Sequence, residues 1–130
     1  MFRDKTVLLC IALSGIFAVG IGAFGAHGLK PYLDDYQRMI FEKGVSYQFY
    51  HTIAALAAYI LYEMKDIKAL HTAALLFLIG VLFFSGSLYL LATQALTHFP
   101  AAIAGPVTPL GGLFFIAGWG ALFFASFKNS

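Results

Sequence analysis

Long apolar stretches separated by short polar ones set the frame of this chain. From Thr6 to Ala26 the only ionisable side chain is that of Cys10. Such a run, at about 1.5 Å per helical residue, reaches about 31 Å, the thickness of a bilayer's hydrocarbon core. Three more apolar stretches follow, at Val45–Tyr62, Ala69–Ala92 and Leu110–Phe127. Between the first two, Pro31–Lys43 is two-faced at helical spacing. Tyr32, Leu33, Tyr36, Met39 and Ile40 share one side, and Asp34, Arg38 and Glu42 form a charge ladder on the other. The pattern predicts an all-α fold, a four-helix transmembrane bundle. A short amphipathic interfacial helix lies between spans one and two, and residues 1–130 make a single integral membrane domain.

Local signals mark the boundaries. Gly28 suits the position after the first helix, and Pro31 forbids its continuation. A charged cluster, Glu63, Lys65, Asp66 and Lys68, separates spans two and three. Thr93–Pro109 carries no charge and contains Gly105-Pro106-Val107-Thr108-Pro109, which reads as a loop. Thr108 as N-cap and Pro109 as first helical residue would then open span four.

Composition agrees with lipid as the solvent. The chain is 61% hydrophobic and 11% charged, against about 25% charged residues in soluble domains. Its net charge of +2 has no basic stripe, which excludes nucleic acid as a partner. Arg3 and Lys5 imitate the start of a secretory leader, but the apolar run is longer than a leader's, so a retained first span is expected. Four spans put both termini on one side with Arg3, Lys5, Lys65, Lys68 and Lys128, against Lys30, Arg38 and Lys43 on the other. That excess predicts that both termini are cytoplasmic.

Small residues along span one point to a close helix contact. Ala18, Gly22 and Ala26 fall four apart, with Gly15 and Gly25 beside them. The contact is open to a partner helix in the same chain or in a second copy, and a homo-oligomer is expected.

The polar residues supply the candidate chemistry. Placed by depth, His27, Glu42, Tyr47, Gln48, His51, Ser85, Ser87 and Thr108 gather towards the half of the membrane away from the termini. His51 should lie about 9 Å below Val45. A histidine at depth needs a partner in the bundle. The set is therefore either a shallow ligand or proton site or a set of interhelical hydrogen bonds. His27, His51 and Glu42 lack the close spacing of metal ligands, so no metal or other cofactor is expected. No serine has a nucleophile-elbow context.

Four segments carry a family resemblance: Gly22-Ala23-Phe24-Gly25-Ala26-His27-Gly28-Leu29, Phe41 to His51 with its Glu42 and Tyr47-x-x-x-His51, Phe84 to Ala92, and Gly105 to Gly112. In this order they resemble the signatures of a family of small bacterial membrane proteins catalogued as domain of unknown function 423. The resemblance implies a four-span integral membrane protein and brings no catalytic residue with it. The expectation is a non-enzymatic membrane protein that binds or passes a small molecule, ion or lipid. The alternatives are an accessory subunit of a larger membrane complex and, with less support, an enzyme acting on lipid headgroups.

Overall fold

The computed structural model describes residues 1–128, and every regular element among them is helical. Helix α1 spans Lys5–His27 and is capped by Asp4, whose carboxylate accepts the Val7 N–H at 3.2 Å. It ends at Gly28, the residue expected after the helix, which keeps a right-handed φ of −75°. The chain instead leaves through a 3-10 turn at Lys30–Tyr32, imposed by Pro31.

Helix α2 is the main departure from expectation. It runs unbroken from Asp35 to Lys65, 31 residues or about 46 Å. From Asp35 onward, the separate interfacial helix expected at 31–43 and the span expected at 45–62 are one rod. Its start is set by a capping box, in which Asp34 accepts the Gln37 N–H at 2.7 Å and Gln37 accepts the Asp34 N–H at 2.9 Å. Gly44 does not break it. A Cβ there would lie 2.8 Å from the Tyr89 ring, so this glycine is a notch for a neighbouring helix.

Helix α3 (Lys68–Gly80) continues through a π-helical turn (Val81–Ser85) into α4 (Gly86–Ala92). In that turn the Gly86 N–H donates to Val81 O, five residues back. The turn lets successive side chains serve different neighbours, Phe84 facing α6 and Ser85 facing α2. A four-residue helix α5 (Gln94–Thr97) leads to α6 (Ala101–Ala125). Helix α6 starts after Pro100 and contains both Pro106 and Pro109. The expected loop through Pro109 is therefore mostly helix, and Thr108 is an interior residue, not an N-cap.

Three helical stretches, Lys5–His27, Lys68–Ala92 and Ala101–Ala125, are long and apolar enough to cross a membrane. The long helices pack in chain order, each antiparallel to the next. Residues Gly15, Gly22 and Gly25 of α1 face Thr52, Val45 and Phe41 of α2. On the other flank, Gly80 faces Phe115, and Gly118 faces Phe77. The seam of α1 comprises Val7, Ile11, Ala18 and Gly25, all buried. Ala26 is exposed and lies off the contact that its spacing suggested. The core joins Val7 and Ile11 to Ala55, Ala58, Tyr59, Ala74, Phe77 and Phe115.

Both described ends of the chain meet at one end of the molecule. The Arg3 N–H donates to Glu63 at 2.7 Å, the Arg3 guanidinium pairs with Asp66 at 3.0 Å, and Lys65 and Lys128 line one cavity.

Candidate functional site

The sequence-derived polar residues do not converge on one cavity. They fall into three groups, each fixed by the helix that carries it.

The first group ties α1, α2, the π-helical turn with α4, and α6 together. Gln48, 4% exposed, donates to Ser14 O at 2.9 Å and accepts from the Tyr89 hydroxyl at 2.6 Å. Ser14 and Thr52 share a hydroxyl hydrogen bond of 2.6 Å. Ser85, fully buried, donates to Gly44 O at 2.6 Å. Ser87 bonds Thr108 across α4 and α6 and also donates to Phe84 O at 2.9 Å. Apart from the local Ser87–Phe84 bond, these are interhelical hydrogen bonds.

The second group is at the end away from the termini. His27 and Glu42 are exposed there. Glu42 lines a shallow cavity with Arg38, whose Nε is buried without a hydrogen-bond partner. Neither residue approaches His51.

The third group is built around His51. Because α2 begins at Asp35, His51 sits at the middle of the helix and not near its outer end. The Trp119 indole donates to His51 Nε2 at 3.1 Å, so that nitrogen is an acceptor and Nδ1 carries the proton. Nδ1 in turn lies 2.9 Å from Tyr47 O and donates to it. Both ring nitrogens are occupied in a neutral imidazole. The ring stacks on Phe115 at 3.6 Å and 11°, and Tyr47 stacks on Phe84 at 4.8 Å and 25°.

These rings form one wall of a groove of about 590 Å³ between α2 and α6, bounded also by Tyr50, Gly112, Ile116 and Trp119. The volume falls within the range of small-molecule sites. The Tyr47 and Tyr50 hydroxyls make no hydrogen bond among the described residues. The groove is thus an aromatic slot with two available phenolic donors. Sequence reasoning named Tyr47 and His51 but missed Tyr50, Phe84, Phe115 and Trp119. The one available signal was that Trp119 is the chain's single tryptophan.

Sequence reasoning also missed a polar clamp at the termini end. His71 Nε2 donates to Asp4 at 2.8 Å, the Asp4 N–H donates to the Tyr59 hydroxyl at 3.1 Å, and Arg3 lies over the Tyr62 ring. Polar side chains are therefore not confined to the far half. The His71 and Val7 hydrogen bonds hold the Asp4 carboxyl below its ordinary 3.8. The Arg3 N–H does the same for Glu63, ordinarily 4.5.

Comparison with known proteins places this architecture. Residues 21–112 match the family described as "Protein of unknown function (DUF423)". A UPF0382 membrane protein of Staphylococcus haemolyticus is 43% identical over 124 residues, covering 95% of this chain and 97% of the relative. One from Haemophilus influenzae is 42% identical over 122 residues, 94% of each chain. The UPF0382 membrane protein YwdK of Bacillus subtilis is 35% identical over 125 residues, 95% of this chain and 98% of the relative. No solved structure matches. With nearly end-to-end likeness to bacterial membrane proteins and the family's segments packed into one helical body, this chain belongs to the DUF423 family of membrane proteins.

Proposed function

We propose that the chain crosses the inner membrane four times, termini in the cytoplasm, and holds a flat, apolar, membrane-dissolved molecule in the groove between α2 and α6. The observation that carries this reading is the groove's chemistry. Its walls are stacked rings, and its free polar atoms are two phenolic hydroxyls suited to an acceptor such as a carbonyl. His51 orients the wall and does not shuttle protons, since Tyr47 O and Trp119 occupy both nitrogens. The length of α2 suits the four-crossing topology: about 46 Å exceeds the hydrocarbon core, so its first turns would stand in the headgroup layer.

Trp119 makes the proposal directly testable, because all tryptophan fluorescence comes from the groove. In detergent or nanodiscs, decylubiquinone, a flat apolar quinone, should quench it saturably. Gly112→Leu should abolish saturation without unfolding the protein, because a Cβ there meets only Phe84 Cδ2 at 3.9 Å and the rest would fill the groove. Linear quenching of equal slope in both proteins would refute the site.

An accessory role in a larger membrane assembly, or self-association, is the second reading. It is favoured by Gly20 on α1 and Gly120 on α6, which face open space and leave small-residue surfaces for another helix. A stoichiometric partner, or a second copy, retained in mild detergent and lost in Gly120→Leu would support it.

A further inference from the structure

We propose that the cavity at the termini end is a binding site for one anionic phospholipid, its phosphate held between Lys65 and Lys128. The cavity has a volume of about 390 Å³ and lies where the end of α2, the start of α3 and the end of α6 meet. Its lining changes character with depth. Lys65 closes α2 and Lys128 follows the end of α6, while Leu61 and Leu122 lie one or more turns further into the helical body and Leu70, in the first turn of α3, is buried. A charged mouth above an apolar floor is the polarity of a lipid entering headgroup last, with its acyl chains along the leucines.

Charge balance at this end favours an anion. The carboxylates nearby are already engaged: Asp66 pairs with the Arg3 guanidinium, Glu63 accepts the Arg3 N–H, and Asp4 accepts from His71. Among the described residues no carboxylate lies within ion-pair distance of Lys65 or Lys128. Two ammonium groups therefore face the mouth of an interhelical cavity at the depth expected for headgroups. Basic pockets of this kind bind phosphate headgroups through charge and hold the chains by apolar contact. The site lies at the opposite end of α2 from the Arg38–Glu42 cavity and does not share residues with the aromatic groove, so it stands apart from the proposed function.

The test uses the full chain in nanodiscs of phosphatidylcholine doped with phosphatidylglycerol. Lipid retained after transfer to detergent is counted by native mass spectrometry. The wild-type protein should retain one phosphatidylglycerol in preference to phosphatidylcholine. Lys65→Gln and Lys128→Gln should each lower that preference about fivefold, the effect of one basic side chain near an anionic surface. Leu122→Phe, which keeps both charges and fills the floor, should also lower retention. Lys30→Gln with Lys43→Gln, at the far end, should leave it unchanged. The proposal is overturned if the far-end pair lowers retention as much as Lys65→Gln with Lys128→Gln, which would mean diffuse surface attraction. It is equally overturned if Leu122→Phe has no effect, or if millimolar inorganic phosphate displaces the lipid. Thermal unfolding in neutral detergent checks folding of each variant, and unchanged quinone quenching of Trp119 separates this site from the groove.

Discussion

Gly111→Ala should be the most damaging single methyl added to this protein. At Gly111 of α6 an added Cβ would lie 2.7 Å from both Cα and Cβ of Phe84, and closer still to the Phe84 backbone nitrogen. Ordinary contact begins at 3.4 Å. The obstacle is backbone in the π-helical turn, so no rotamer change relieves it. The two helices must part locally by about 1 Å, and a gap of 0.5–1 Å forfeits about a quarter to a half of each affected contact. The partner contacts at risk include Gly80 against Phe115 and Gly118 against Phe77, which depend on the same close approach. Overpacking of this kind costs about 1–3 kcal/mol, while replacing a helical glycine by alanine returns about 0.5–1 kcal/mol. Gly120→Ala is the internal control, since nothing lies within 4 Å of its added Cβ. It should be neutral or slightly stabilising. Trp119, between His51 and Phe77, reports unfolding of both variants by fluorescence in detergent. Equal stability of Gly111→Ala and Gly120→Ala would refute the claim that Gly111 sets the distance between α6 and the π-helical turn.

The polar groups yield two more predictions. Gln48→Leu should destabilise by about 1–2 kcal/mol, because it deletes both the Ser14 and Tyr89 bonds. Tyr89→Phe in the Gln48→Leu background should cost less than in wild type, a coupling that a double-mutant cycle measures and whose absence would dissolve the network. At the termini end the pH dependence has a definite sign. Asp4 and Glu63 have folded values below 3.8 and 4.5, so their stabilisation is complete above those values and fades as pH falls beneath them. The unfolding midpoint should therefore hold between pH 7 and 5 and drop below about pH 4.5. Asp4→Asn should flatten the lower part of that drop, and an unaltered profile would remove the Asp4–His71 contact from the account.

Much of the architecture was legible in the chain because lipid permits few backbone arrangements. Segments with no charged side chain, such as Thr6–Ala26, must satisfy their own backbone and so form helices. Charges must sit where water is, which put Arg3, Lys65 and Lys128 at a common end before any contact was known. The helix boundaries were less legible for the same reason. Pro106 and Pro109 would end a helix in water, yet α6 runs through both, since no solvent competes for the neighbouring backbone bonds. Gly44, between the two expected segments, lies inside α2 as a notch filled by Tyr89.

The candidate site depended on what sequence alone does not encode. In lipid the core and outer faces of a helix are both apolar, so the periodicity that marks a buried face in water largely disappears. Whether Gln48 meets Ser14, or His51 meets Trp119, is decided by helix rotation and register. Those are set by methyl-sized clearances at Gly25, Gly80 and Gly111, between segments far apart in the chain. Composition and hydropathy determined a membrane helix protein with charged ends. Only the packing decided that its midpoint histidine joins an aromatic wall, because close approach of backbones is a property of pairs of helices and not of either one.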